Sequence, residues 1–277
     1  MTSAVTMERS ISEKNSMNYL KKNSMKRSLI LFVSVLSALT IRAQEYKLAK
    51  ATGKLDIREV NEVKIEGYGG SEIIFISKDY RGDKDDRAAG LRAISNLGLE
   101  DNTGIGLSVV ETNGVIEVRQ LKKMDGPDIL IRVPKGISVN YSHTSPHGSD
   151  VSIKNVESDI DVSTVHNDVM LENVTGIVRV RTVHGDIDAI FPAEVKNQLS
   201  LNSTHGHVDV ALPVTTKASL KMSTSWGEIF VDPSLKLELD KTGDFVKYSD
   251  RLNAKMNGGG TEINLTSTHD NVYLRKK

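Results

Sequence analysis

Apolar and polar residues alternate along most of this chain, which is the period-2 signature of strands with one buried face. The alternation repeats in a fixed frame. Around His184, apolar residues stand six and four positions before it and three and five after it, as Val178, Val180, Ile187 and Ala189. The same frame holds Ile160, Val162, Val169 and Leu171 around His166, and Leu199, Leu201, Val208 and Val210 around His205. It recurs with Leu220, Met222, Ile229 and Val231 around Trp226, and with Ile263, Leu265, Val272 and Leu274 around His269. Fainter copies centre on Thr52, Gly69 and Asn113, and the segment around His147 fits with small shifts. The residue after each centre is Gly53, Gly70, Gly114, Gly148, Asn167, Gly185, Gly206, Gly227 or Asp270. These types tolerate a left-handed backbone, so the pattern predicts strand, tight corner, strand.

Units of about 20 residues cannot bury an apolar face alone, but stacked units can. The expected fold is therefore all-β, a single-stranded β-solenoid whose inward Val, Leu and Ile form columns along the axis. A β-sandwich of hairpins also uses short strands and glycine turns, but a frame that runs through both strands and the corner favours the solenoid. Pro134, Pro192, Pro213 and Pro233 follow strands and mark a second corner, because proline cannot donate to a ladder. Residues 78–104 and 232–260 depart from the frame and read as loop excursions or decorated coils, with Gly258 to Gly260 as a local turn. The best helical stretch, Asp86 to Leu97, is interrupted by glycine.

The start of the chain is different. Lys26 and Arg27 precede an uncharged run from Leu29 to Ile41, closed by Arg42, Ala43 and Gln44. A basic start, a short apolar centre and a small residue at the cut describe a secretory signal peptide. The predicted organisation is a leader over 1–43, cleaved after Ala43, and a solenoid domain over 44–277. Residues 1–24 are polar and contain Met7 and Met17, so translation starting further along is an alternative to a long leader. An uncleaved anchor is the other reading, although a membrane span takes about 20 apolar residues. No stable membrane span is expected once the leader is removed.

Charge and composition then take on meaning. The whole chain has 36 basic and 36 acidic side chains, yet the leader holds seven of the former and two of the latter, so the product carries 29 against 34. A mildly acidic product argues against nucleic acid as partner. The absence of cysteine excludes a disulfide framework, a thiolate metal site, a cysteine nucleophile and a lipid-bearing cysteine.

Five histidines (His147, His166, His184, His205 and His269) occupy corner centres, so they share one edge of the solenoid. Imidazoles at strand spacing raise the question of a shared metal ion, with His166, His184 and His205 the candidates. Trp226 and Asn113 hold the same place and are not usual ligands, so the edge reads first as a solvated row. Asp168, Asp186 and Glu228 form a second outward row together with His207 and Asn271. Thr164, Thr182, Ser203, Thr224 and Ser267 point inward two residues before the centre, where hydroxyls can satisfy corner amides. A polysaccharide-cutting β-helix would use Asp186, Asp188 or Asp209, with Arg179 and Arg181 on the neighbouring outward face. No nucleophile elbow or phosphate-binding loop is present, and Asp83 to Asp86 lacks the later residues of a calcium loop.

With these motifs in view, the chain resembles a known family. Ile131-Arg-Val-Pro134-Lys-Gly-Ile-Ser-Val139, Val183-His-Gly-Asp-Ile187 and Ser223-Thr-Ser-Trp-Gly-Glu-Ile229 look like the adhesin-like β-strand-repeat proteins of Gram-negative bacteria, a family with a domain of unknown function. The resemblance extends over about residues 45–277 and includes Gly90-Leu-Arg-Ala-Ile94 and Asp101-Asn-Thr-Gly-Ile-Gly-Leu107. It implies a β-solenoid in the envelope or outside the cell, and it supplies no catalytic residues. The expected protein is an exported, non-enzymatic, adhesin-like or scaffold protein in the periplasm or at the cell surface. It needs no cofactor, and its partners are a surface glycan or an envelope protein.

Overall fold

Two sheets with buried inner faces enclose a single long core. The structure, a computed structural model, describes residues 44–77, 87, 91, 94–124, 126–239 and 251–277. The expected leader over 1–43 lies outside the described residues, as do residues 240–250 and most of 78–93, including Asp83 to Asp86 and half of the weak helical stretch. At its end, Ile94 and Glu100 form an antiparallel bridge. The described residues form an all-β solenoid, as the alternation predicts.

Each regular coil sends one strand into each sheet. In chain order the coils are β2 (Thr52–Arg58) with β3 (Val63–Tyr68), β6 (Val115–Gln120) with β7 (Ile129–Pro134), and β8 (Gly136–His143) with β9 (Val151–Lys154). Next come β10 (Ile160–Thr164) with β11 (Val169–Glu172), β12 (Val178–Thr182) with β13 (Ile187–Ile190), and β14 (Leu199–Ser203) with β15 (Val208–Leu212). The last two are β16 (Ala218–Thr224) with β17 (Ile229–Val231), and β20 (Thr261–Ser267) with β21 (Val272–Lys276). Neighbouring coils pair parallel, and their apolar places align. Ile160, Val178, Leu199, Ile263 and Leu220 stand in one register, all nearly fully buried. Burial of such columns is what holds a solenoid without disulfides, since each coil exposes an apolar edge until the next covers it.

The stacking order is not the chain order. The final coil, β20–β21, sits between β14–β15 and β16–β17. At the other end, β2–β3 sits between β6–β7 and β8–β9.

The fainter N-terminal copies of the frame are also reassigned. Asn113 and Gly114 both have positive φ, 53° and 78°, and join β5 (Leu107–Thr112) to β6 as an antiparallel hairpin within one sheet. Asn-Gly is the residue pair such a turn prefers. Gly69 is no corner between sheets either. It lies between β3 and β4 (Ile73–Ser77), which belong to the same sheet and flank β7. β4 also pairs antiparallel with β1 (Gln44–Leu48). Within the second excursion, β18 (Leu237–Leu239) and β19 (Arg251–Met256) pair antiparallel and continue one sheet beyond β16. Antiparallel strands thus close both ends of the parallel stack.

Candidate binding surface

The corners joining the paired strands of β10–β11 through β16–β17 and β20–β21 carry the chemistry, and in three of them glycine lets the corner lie against its neighbour. Gly185, Gly206 and Gly227 do not have positive φ. They are required by close approach instead. A Cβ on Gly206 would strike the Gly185 carbonyl, one on Gly185 the Asn167 carbonyl, and one on Gly227 the Asp270 carbonyl. Left-handed residues occur at the far end of the coil, where Asn155 and Asn173 have φ of 57° and 53°. The Asn173 amide donates to Asn155 Oδ1 at 2.8 Å.

Beneath the corners runs the expected hydroxyl column, which is buried. Gly206 N–H donates to Ser203 Oγ at 2.9 Å, and Ser203 Oγ–H donates to the Gly185 carbonyl of the adjacent coil at 2.9 Å. Ser267 links Asp270 N–H to the Gly206 carbonyl in the same way, and Thr224 links Gly227 N–H to the Asp270 carbonyl. Ser203, Ser267 and Thr224 thus each satisfy one donor in their own coil and one acceptor in the adjacent one, whereas Thr164 Oγ1 donates to the Asn167 carbonyl of its own coil at 3.2 Å.

Outside the corners, the histidines form a ladder of parallel rings. Centroids of His166 and His184 are 5.1 Å apart, those of His184 and His205 4.8 Å, and those of His205 and His269 4.5 Å. Trp226 ends the row, 6.5 Å from His269 and tilted 7° to it. His269 follows His205 in the stack because of the inserted final coil. His269 Nδ1–H donates to the Thr204 carbonyl at 3.0 Å, which fixes its tautomer. Burial and the neighbouring imidazoles of His269 and His184 push the pKa of His205 down. Because ring-nitrogen lone pairs lie in the ring plane, stacked imidazoles aim them side by side rather than at one point. The structure thus brings the metal candidates His166, His184 and His205 together without converging their nitrogens. Among the described residues no group of three ligating side chains converges on a metal position.

The second outward row also forms. Asp168 Oδ1 accepts Asp186 N–H, Asp186 Oδ1 accepts His207 N–H, and Asn271 Oδ1 accepts Glu228 N–H, each at 2.8 Å. Asp188 and Asp209 are cross-strand neighbours. His207 lies 3.1 Å from Asp186 and 3.2 Å from Asp188, while Arg275 holds Asp209 through two contacts of 2.8 and 2.7 Å. Arg179 and Arg181 stand on β12 in the other sheet, with the core between them and these carboxylates.

Two clusters have no counterpart in the sequence reading. On the outer face near the end of the stack, Phe230 stacks on Tyr273 at 5.2 Å and 12°, His207 meets the Tyr273 ring edge-on, and Arg275 lies 5.1 Å from its centroid. The placement of β21 beside β17 creates this cluster, since Tyr273 and Phe230 are 43 residues apart yet directly paired. The other cluster is buried. His143 is fully covered, parallel to Tyr141, and its Nε2 lies 3.2 Å from Asn61 Oδ1 and 4.0 Å from the Glu59 carboxylate. Desolvation pushes its pKa down, against the opposing pull of Glu59 and Asn167. His143 pairs in register with Thr164, so it fills the hydroxyl column's place in its coil. Alignment by strand ends rather than on His147 is the signal that finds it.

A search of curated proteins returns no match. Among solved structures, a candidate cell adhesion protein from Clostridium sporogenes has a TM-score of 0.41 and 12% identity, covering 85% of this chain and 100% of that one. A candidate adhesin from Bacteroides fragilis has a TM-score of 0.36 and 12% identity, covering 87% and 98%. The model of one family, Toastrack DUF4097, matches residues 106–275, which is more than half of the chain and takes in the whole histidine ladder. On that match, the chain belongs to the Toastrack DUF4097 family, whose domain is one of unknown function.

Proposed function

We propose that this is an exported, adhesin-like binding protein, acting in the periplasm or at the cell surface without catalysing a reaction. One observation carries the reading. Four imidazoles and an indole stand in an exposed row on a scaffold whose corners are locked coil to coil by hydroxyl hydrogen bonds. Such a row offers repeated, pre-organised contacts to an extended partner, a surface glycan or an envelope protein, with little ordering cost on binding. Residues 1–43 act as the leader in this reading, with cleavage after Ala43. No helix among the described residues is long and apolar enough to cross a membrane.

The test incubates purified protein with whole cells and a glycan array, beside a variant with His166, His184 and His205 all changed to Ala. Binding that falls in the variant supports the ladder as the contact surface. Unchanged binding keeps the adhesin reading and discards the ladder, and no binding to either target overturns the reading. N-terminal sequencing of the exported product checks the cleavage position.

A further inference from the structure

The binding reading leaves open which part of the surface meets the ligand and what the ligand is. At the end of the stack, alternate residues of one run, Trp226, Glu228 and Phe230, are all exposed. Trp226 is 78% exposed, and Phe230 is 45% exposed. Trp226 has one ring face toward His269, and Phe230 has one toward Tyr273. The chain from Trp226 to Phe230 spans at most about 14 Å, the reach of a short oligosaccharide. Polar groups fill the ground around these rings: the Glu228 carboxylate, the Asn271 amide, and the planar Arg275 guanidinium held in place by Asp209. A shallow cavity of about 460 Å³ adjoins Phe230 and is lined also by Asp232, Tyr273, Arg275 and Lys276.

We infer that Trp226 and the Phe230–Tyr273 pair form a binding platform for a neutral, linear glycan. A pyranose ring has an apolar C–H face, which packs on an aromatic ring, and a rim of hydroxyls, which pair with carboxylate, amide and guanidinium groups. Both halves of that chemistry are present, in alternation, along the run from the corner at Trp226 to Phe230 on β17. The surrounding charge selects among glycans. Asp188, Asp209, Glu228 and Asp232 outnumber Arg275 and Lys276 here, which disfavours uronate or sulfate groups. Large aromatic side chains are also the residues that carry most binding energy at recognition surfaces. The inference rests on the binding-protein reading and deepens it.

Trp226 is the chain's sole tryptophan, so its fluorescence reports on this platform alone. The purified full chain is titrated with cellohexaose, chitohexaose and laminarihexaose, and then with their charged analogues. The expected result is a saturable change in emission with at least one neutral sugar and a weaker response to the charged ones. Phe230→Ala lowers the affinity about tenfold while its thermal melt confirms folding. Emission unmoved by every neutral sugar, in protein that still binds whole cells, overturns the glycan platform and leaves the binding reading standing. If cell binding is absent as well, both fall. Emission that shifts with protein concentration alone assigns the platform to a second copy of this chain and also overturns the proposal.

Discussion

Substituting Gly206 separates two explanations of why glycine stands at the corners. If the position needed a left-handed backbone, Asn would be the best replacement and Ala a moderate one. The structure gives a different expectation, because Gly206 lacks positive φ and its missing Cβ is what lets the Gly185 peptide lie against it. A Cβ there would sit 2.6 Å from the Gly185 carbonyl carbon, whereas ordinary contacts begin at 3.4 Å. The two corners must therefore part by the better part of an ångström. Such a shift also stretches the 2.9 Å bond from Ser203 Oγ to the Gly185 carbonyl beyond hydrogen-bonding range. Overpacking plus one lost buried hydrogen bond comes to about 3 kcal/mol. For a domain of this size that lowers Tm by about 6 °C. Gly206→Asn should cost at least as much as Gly206→Ala. Gly258, with φ of 82° and no atom within 4 Å of its Cβ position, provides the contrast, and there Ala should cost about 1 kcal/mol. Urea unfolding followed by circular dichroism measures all three. A Gly206→Ala protein within about 0.5 kcal/mol of wild type, or a Gly206→Asn protein more stable than Gly206→Ala, refutes the close-approach argument.

The hydroxyl column yields a second expectation: Ser203→Ala leaves the Gly206 N–H and the Gly185 carbonyl unpaired and costs about 2 kcal/mol, while Ser203→Thr, the residue used at Thr182 and Thr224, stays near wild type in the same denaturation assay. Stability also depends on pH through His143. Its folded pKa lies below 6.5, so the unfolded chain takes up the proton first; stability is full above pH 6.5 and falls as pH drops through the folded value. Urea midpoints across this range should fall in wild type and less steeply in His143→Gln; parallel slopes would remove His143 from the explanation. The depressed pKa of His205 acts with the same sign. Finally, zinc calorimetry should show no saturable heat, because the stacked imidazoles aim their nitrogens side by side, and one strong zinc site lost in His184→Ala would contradict that geometry.

What the linear pattern determined is the content of each coil. Period-2 alternation names the strands, and the constant offset of Val178, Val180, Ile187 and Ala189 from His184 puts hydroxyls inward and imidazoles outward. Covalent spacing and strand geometry are enough for this, because a strand's side chains have no choice but to alternate. Pattern alone is blind to neighbours. Every coil presents the same apolar places, so any coil fits on any other, and nothing local shows that Ile263 lies between Leu199 and Leu220. Alternation likewise reads the same for parallel and antiparallel strands, which is why the hairpin at Asn113 passed for a coil. The buried histidine and the exposed aromatic platform follow from stacking order. His143 falls in the hydroxyl column only once β8 is laid on β10, and Tyr273 meets Phe230 only once β21 is laid beside β17. Tertiary structure alone decided these contacts, since the repeat makes the same place in every coil equivalent and only the stacking order selects which of those places meet.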